Sequence, residues 1–277
     1  MQVAMIQDKI LPMDELEPIY CDRGTYFGDG VYEVLRSYNG KIFALEEHLQ
    51  RFARSLSEIG IINVEIDQIS SRVLKAFDTA GISNAKIYFH ITRGSALRNH
   101  VCQADLEPNF FLTITELNDD AEEKNKGIAV STFPDWRWKR CDIKSLNLLA
   151  NVLARQDAAK KGCAEAILVD ETGLITEGAG SAFFAVSGRK LQTAPLTANI
   201  LPSITRKFVI EAAKKIGLEI VEKSLTPQQA RCADELFIAV TTKDIVPVVE
   251  FDGKLIREGE PGKYAKLLIQ EFRSLIL

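Results

Sequence analysis

The chain has 277 residues, 46% of them hydrophobic and 26% charged, with a formal net charge of −4 at pH 7. This is an ordinary globular composition, long enough for one large or two modest domains with cores of their own. It excludes a strongly basic face for nucleic acid, and no apolar run approaches the roughly 20 residues needed to cross a bilayer, so neither nucleic acid nor membrane is an expected partner.

The opening "MQVAMIQDKI" has neither the basic start nor the long apolar middle of a secretory signal, so a cytoplasmic protein is expected. Further on, "ALEEHLQRFARSLSEIG" places Leu45, Leu49, Phe52, Leu56 and Ile59 on one helical face that ends at Gly60. A second helix is expected from Ile66 to Ala80, and "KIYFHITRG" reads as a strand feeding a loop at Gly94. The polar, acidic stretch "TELNDDAEEKNKG" then marks a linker, which divides the chain into a smaller α+β domain over 1–117, a linker over 118–126 and a larger domain over 127–277.

After the linker the sequence is rich in strands: "GIAVSTF", "AEAILVD", "LITEG", "SAFFAVS", "LQTAP", "LEIVEKS" and "ELFIAVTT". The turn signals "DETG", "SGRK" and "FDGK" indicate antiparallel hairpins more than a regular βαβ series. Helices are expected at Ser145–Lys161, in "SITRKFVIEAAKKIG" and in "GKYAKLLIQEFRSLIL". The fold class is therefore α+β, with the second domain a barrel-like sheet carrying helices on its outside.

The cysteines Cys21, Cys102, Cys141, Cys163 and Cys232 are widely spaced and include no C-x-x-C pair, so reduced thiols are expected rather than a disulfide framework or zinc site. His48, His90 and His100 form no H-E-x-x-H pattern, and no metal is expected.

Several segments carry groups suited to chemistry. Ser203 in "LPSITRKF" caps a helix, leaving the N–H groups of Ile204 and Thr205 outward with the positive end of the dipole behind them, a phosphate site that any capped helix also offers. Thr241 and Thr242 stand where a strand ends. Arg51 lies on the polar flank of the first helix, where a solvated charge is the ordinary reading. Glu177 ends an apolar strand before Gly178, Ala179 and Gly180, small residues that let a flat ligand approach and let the carboxylate hold a positive ring nitrogen. In "FHITRGSALRNH", Arg98 and His100 flank Asn99, so in an extended segment both point to one side and form a two-pronged trap for a carboxylate. Lys144 stands between a short β-prone run and a helical segment, a junction where most lysines are plain surface residues.

Taken together, "DRGTYFGDGVYEVLRSYNG", "HLQR", "YFHITRGSALRNH", "RWKRCDIKSLNLLANVLA", "GCAEAILVD", "TEGAGS", "SITR" and "DELFIAVTTKDI" span essentially the whole chain. In these the sequence resembles the fold-type IV pyridoxal-phosphate enzymes, the family of branched-chain aminotransferases, D-amino-acid transaminases and aminodeoxychorismate lyase. "RCDIKSLNLL" and the R-x-H of "LRNH" are most similar to the D-amino-acid transaminase branch.

The resemblance implies pyridoxal 5′-phosphate as cofactor and a reversible amino transfer between D-amino acids (D-alanine, D-glutamate) and 2-oxo acids (pyruvate, 2-oxoglutarate). It implies that Lys144 forms the Schiff base and then moves a proton between the substrate Cα and the cofactor, which requires an amine that is partly desolvated. By the same resemblance Arg51, the N–H groups of Ile204 and Thr205, and Thr241 hold the phosphate. Glu177 keeps the pyridine nitrogen protonated, and Trp138 and Leu201 line the pocket. Tyr32, Arg98 and His100 grip the substrate carboxylate, with Arg98 and His100 supplied by the neighbouring subunit of a homodimer.

Two departures stand out: Ala179-Gly180-Ser181-Ala182 replaces the Ser-Ser-Ser-Asn common in related transaminases and Val240 replaces a serine, so fewer hydroxyls are expected around the cofactor. Alternatives are a branched-chain L-aminotransferase, an aminodeoxychorismate lyase and, in another class, a non-catalytic protein that binds a phosphate ligand.

Overall fold

The strand Gly30–Tyr38 buries side chains on both of its faces, because it is covered by helices on one side and lines a cavity on the other. The computed structural model describes residues 2–102, 105–118 and 121–276. The N-terminal hairpin β1 (Val3–Ile6) and β2 (Lys9–Pro12) leads through the short helix α1 (Arg23–Phe27) into β3 (Gly30–Tyr38) and β4 (Lys41–Ile42). Helices α2 (Leu45–Glu58) and α3 (Ile66–Ala80) follow, then β5 (Ala85–Thr92) and β6 (Asn109–Glu116). Strands β3 to β6 form an antiparallel sheet of order β4-β3-β5-β6.

The period-two rule is visible in β5, whose Ala85, Ile87, Phe89 and Ile91 are essentially sealed from solvent while Lys86, Tyr88 and His90 between them are half-buried. On the sealed face sit Leu49, Phe52 and Leu56 from α2, at the helical spacing read from the sequence, and Ile69, Val73 and Phe77 from α3. Full burial of each such large apolar side chain contributes about 1.5–3 kcal/mol.

Helix α4 (Ala121–Lys126) occupies part of the expected linker. Its buried Lys124 pairs with Asp244 at 2.7 Å, while Asp119 and Asp120 lie outside the described residues. Next come β7 (Ile128–Pro134), α5 (Leu149–Lys160), β8 (Glu165–Val169), β9 (Ile175–Gly178), β10 (Ala182–Ser187) and β11 (Lys190–Thr193). The chain ends with α6 (Ile204–Lys215), β12 (Glu219–Glu222), α7 (Pro227–Arg231), β13 (Glu235–Val240), β14 (Asp244–Phe251), β15 (Lys254–Leu255) and α8 (Lys263–Ile276).

The large sheet runs β12-β11-β10-β13-β14-β7-β8-β9, with β15 beside β14. It curls until β9 lies against β10, where Gly178 N donates to Ser181 O at 2.8 Å. This half-barrel accounts for the apolar runs of β10 and β13. Phe183 and Ile238 point to the inner core, whereas Phe184 and Phe237 point to an outer core completed by Val209 of α6 and Phe272 of α8.

The structure alters three sequence expectations. The hairpins at "DETG", "SGRK" and "FDGK" are present, but β7–β8, β7–β14 and β11–β12 are parallel pairs, so the sheet is mixed. Strand β14 is absent from the expected set because Pro247 breaks its β-prone run in the sequence; the strand nevertheless continues through it, with Pro247 opposite Phe237 of β13 and ahead of Val248, the first residue paired with β7, where a missing N–H is tolerated.

The helix expected from Ser145 begins only at Leu149. Residues 143–146 instead join the open edge of β3: Tyr32 N donates to Lys144 O at 3.0 Å, Leu146 N to Gly30 O at 3.0 Å, and Ser145 bridges Val31. Backbone groups engaged in that ladder cannot also close helical turns.

Gly30 makes this docking possible, because a Cβ there would lie 2.6 Å from Ile91 O and 2.8 Å from Leu146 Cδ1. Gly30→Ala is expected to destabilise the fold by about 1–3 kcal/mol through overpacking, read as a lower urea midpoint. Amide exchange at Tyr32 and Leu146 should quicken together; unchanged exchange at both would show that the docking does not depend on Gly30.

Candidate functional site

A cavity of about 260 Å³ opens where β3, the 137–148 segment, the 177–182 turn, the start of α6 and the end of β13 converge. Tyr32, Arg51, Trp138, Lys144, Glu177, Leu201, Ser203 and Thr241 all line it, so residues far apart in sequence meet as the motifs required. A larger cavity of about 620 Å³ near α8 includes Arg36 and Asp244, but these are engaged with each other at 3.1 Å.

Lys144 is held from both sides of its peptide. Its carbonyl is bound by Tyr32 and its N–H donates to Ser55 Oγ of α2 at 3.2 Å, while Nζ lies 4.3 Å from the centre of the Tyr32 ring. The half-buried amine is therefore aimed by backbone pairing, and it sits over an aromatic face that attracts its charge.

Arg51 is a buried residue, contrary to its ordinary reading as a solvated charge. Glu33 of β3 holds it bidentately, at 2.8 Å to Nε and 2.7 Å to Nη2, and Pro202 O accepts from Nη1 at 3.0 Å. His48 Nδ1 lies 2.7 Å from the same carboxylate. Burial opposes the charge on Glu33, but Arg51 and His48 outweigh it and bring the carboxyl down to about 2. Burial acts on His48 as well, lowering its affinity for a proton against the pull of Glu33.

At the start of α6, Ser203 Oγ accepts from Arg206 N at 3.2 Å, as a cap should. The N–H groups of Ile204 and Thr205 in the first turn have no acceptor within the helix, so with Arg51 nearby the cavity has a positive end suited to an anion. The side chains of Ile204 and Thr205 are buried and do not line the cavity.

Glu177 stands in another wall. Its Oε1 accepts from Arg137 Nη1 at 2.5 Å and from Leu201 N at 3.1 Å, and no partner is present on Oε2 among the described residues. Burial pushes this carboxyl upward and Arg137 pulls it back.

The small-residue turn beside Glu177 is held from behind. Glu165 Oε2 accepts from Ser181 Oγ at 3.0 Å and Gly180 N at 3.3 Å, and Asn151 Nδ2 donates to Ala179 O at 2.7 Å. The hydroxyl of Ser181 is thus engaged with the protein. Gly178 has no room for a side chain, since a Cβ there would collide with Ser181 Oγ.

Arg98 and His100 are not brought into this cavity within one chain. Both are exposed, and both lie against the ring of Phe27, at 5.2 Å and 5.3 Å, on one side of the loop as the alternation predicts. Arg23 fixes the loop through Asn99 O at 2.6 Å and His100 O at 3.1 Å. Arg93, the third charge of that motif, is engaged with Asp29 and with the carbonyls of Ile59 and Gly60.

Sequence reasoning missed Glu33, His48, Ser55, Arg137 and Glu165. Glu33 carried a signal, a carboxylate set between Val31 and Val34 in a strand, whereas Arg137 in "WRWK" reads as a surface residue. Among the described residues no group of three or more His, Cys, Asp or Glu side chains is arranged to hold a metal. The donor set is an amine, a positive end and a buried carboxylate with one open oxygen, which suits a flat ligand with an anionic arm, a cationic ring nitrogen and a carbonyl carbon.

Comparison with known proteins accords with this donor set. The family model for amino-transferase class IV matches residues 30–251. D-alanine aminotransferase of Bacillus licheniformis is 38% identical over 92% of this chain and 90% of its own length; that of Staphylococcus epidermidis is 35% identical over 100% and 98%. Among solved structures, the branched-chain amino acid aminotransferase of Escherichia coli superposes with a TM-score of 0.87 at 26% identity, covering 97% of this chain and 92% of that one. A branched-chain amino acid aminotransferase of T.th. solved with pyridoxamine 5′-phosphate gives 0.86 at 25% identity over 96% and 91%.

The Glu33–Arg51 pair should impose a pH dependence on stability. A folded carboxyl at about 2, against the ordinary 4.5, contributes stability that is complete above 4.5 and is lost as pH falls through about 2. Glu33→Gln is expected to cost about 3–5 kcal/mol at neutral pH, with the gap to the parent narrowing on acidification in urea titrations. A gap that stays constant down to the acid limit would show that the pair does not stabilise through ionisation.

Proposed function

The chain belongs to the amino-transferase class IV family, and from that membership we propose that it is a D-amino-acid transaminase, exchanging the amino group of D-alanine or D-glutamate with pyruvate or 2-oxoglutarate. It is a fold-type IV, pyridoxal 5′-phosphate-dependent aminotransferase. The observation that carries the D-specific reading is the pairing of Arg98 with His100 on one side of one loop, in a chain similar along its whole length to D-alanine aminotransferases. Solved branched-chain aminotransferases share the architecture at 24–26% identity, which keeps the branched-chain L-amino acid reading second.

The donor set fits the cofactor. Arg51, the first turn of α6 and Thr241 would hold its phosphate, Glu177 its ring nitrogen, and Lys144 its carbonyl carbon. When bound, the cofactor supplies the electron sink that lets a Cα–H bond of the substrate break. Lys144 Nζ would take the proton from the substrate Cα, hold it and release it again, a task for which its backbone-held, half-buried position is suited. Glu177 supplies negative charge at the ring nitrogen, and Tyr32 orients the substrate beside Lys144.

Arg98 and His100 grip the α-carboxylate at the cavity of the neighbouring subunit in a homodimer. Support comes from their exposure away from their own cavity and from Leu97 and Val101, 67% and 79% exposed on the same loop, which suit a protein interface. In this reading 1–117 is the small domain that carries the trap and 127–277 the larger cofactor domain. No helix among the described residues is long and apolar enough to cross a membrane, and a cytoplasmic location goes with the reading.

Borohydride reduction of the yellow holoenzyme followed by peptide mapping is expected to leave the pyridoxyl group on Lys144; a label on Lys139 or Lys160 refutes the assignment. With 2-oxoglutarate as acceptor, D-alanine should react faster than L-leucine or L-alanine. Charge-assisted hydrogen bonds of about 1.5–3 kcal/mol imply that Arg98→Met lowers kcat/KM for D-alanine by about one to two powers of ten. Faster turnover of L-leucine by the parent protein would transfer the assignment to the branched-chain reading.

A further inference from the structure

Asp135, Arg137 and Glu177 form a buried row in which the guanidinium lies between two carboxylates. Asp135 follows β7, and its N–H donates to Val169 O at 2.8 Å while Thr176 Oγ1 donates to its Oδ2 at 2.9 Å. Its two oxygens grip Arg137 in parallel, Oδ1 with Nε at 2.8 Å and Oδ2 with Nη2 at 2.8 Å. Nη1 of the guanidinium points onward, and it donates to Glu177 Oε1 at 2.5 Å. The three side chains are 5–7% exposed, so solvent screens the row little.

We infer that Arg137, clamped by Asp135, is a positioning residue for the cofactor's ring nitrogen: it holds Glu177 as a carboxylate by one oxygen and leaves Oε2 as the acceptor open to a cationic ring N–H. This inference rests on the role proposed for Glu177.

Two carboxylates and one guanidinium leave the row one negative charge in excess, and a single cation in the cavity neutralises it. The neighbouring Cys141 thiol does not alter that count, because burial, opposed by Arg137 and reinforced by the nearby carboxylates, pushes the thiol up to about 12. Leu201 adds only a backbone N–H, at 3.1 Å.

Arg137 and Leu201 both address Oε1, and no partner is present on Oε2 among the described residues. Glu177 lines the cavity, so the open acceptor belongs to the ligand space. Burial raises the Glu177 carboxyl, and Arg137 is the principal group opposing that rise. Burial works against the Arg137 charge too, but its carboxylate partners outweigh it and raise its proton affinity, so the guanidinium is a permanent charge.

The test measures pyridoxal 5′-phosphate binding to the apoenzyme across pH by equilibrium dialysis, with the visible absorption of the bound cofactor as a second readout. Without Arg137, burial acts on Glu177 unopposed and its proton is taken up at higher pH. In Arg137→Met, affinity is therefore expected to match the parent at high pH and to fall by about tenfold or more as pH decreases through the raised value. Arg137→Lys should restore most of the parent profile, whereas Asp135→Asn, which retains the cation but removes the excess negative charge, should weaken binding without adding a loss on acidification, because Asp135 itself raises the Glu177 carboxyl. Glu177→Gln is expected to bind weakly at every pH.

A parent-like profile in Arg137→Met, beside weak binding in Glu177→Gln, overturns the inference and leaves the role of Glu177 standing. Loss of binding in Arg137→Met at all pH values, unrelieved by Arg137→Lys, also overturns it, since a structural pin would behave that way. If Glu177→Gln itself binds with parent affinity and spectrum, the underlying role fails and the inference with it. Should Arg137→Met not fold, Arg137→Gln, which also lacks the charge, carries the same comparison.

Discussion

The hydrogen bond from Tyr32 N to Lys144 O, with its companion from Leu146 N to Gly30 O, is the constraint on which the site depends. It exists because β4 pairs only with Ser37 and Tyr38 at the far end of β3, leaving the edge at Gly30–Tyr32 open. An open strand edge presents unpaired donors and acceptors, and the 143–146 segment satisfies them. The same contact joins the small sheet to the segment leading into α5 and aims Lys144 at the cavity. Helix α2 reinforces it, since Ser55 receives the Lys144 N–H one turn away from Arg51 on the same helix. Amine and guanidinium are thus positioned by one strand and one helix.

The interior holds several charges, and each is compensated in a manner that matches its position. Glu33 is sealed completely and is shared by Arg51 and His48, so the guanidinium is fixed at the cavity wall. Asp244 gathers Arg36, Lys124 and Tyr38 behind the site and ties α4 to β3 and β14. Glu165 holds the turn at 180–181 and meets Arg155 at 3.0 Å. Buried ion pairs of this kind add little net stability, because desolvation offsets the attraction, but a missing partner is costly. Their effect here is geometric: they fix side chains that surround a cavity.

The 93–101 loop is secured by other means. Gly94 adopts φ +119, and a Cβ there would collide with Glu107 O, so the turn that launches the loop needs glycine. Arg23 then secures two carbonyls near the tip, and Phe27 supplies a surface for Arg98 and His100. The loop is held at its backbone while the side chains at its tip stay exposed. That combination presents cationic and donor groups outward in fixed positions.

Local patterns were enough to read much of the protein from its sequence. Helix α2 follows from apolar spacing and α6 from a capping serine, α3 and α8 lie where helices were expected, and most strands of the curled sheet follow from short β-prone runs between turn signals. The candidate site residues were legible through whole-chain resemblance, since Arg51, Lys144 and Glu177 each have an ordinary reading when taken singly. What sequence determined was therefore which residue types recur at which separations. Tertiary structure alone decided that 143–146 would be an edge strand rather than a helical turn, that Arg51 would be sealed against Glu33, and that Arg137 would be locked between Asp135 and Glu177. Each of these depends on a partner distant in the chain or on burial, and neither a hydrogen bond to a remote strand edge nor the loss of solvent around a charge is encoded in local periodicity.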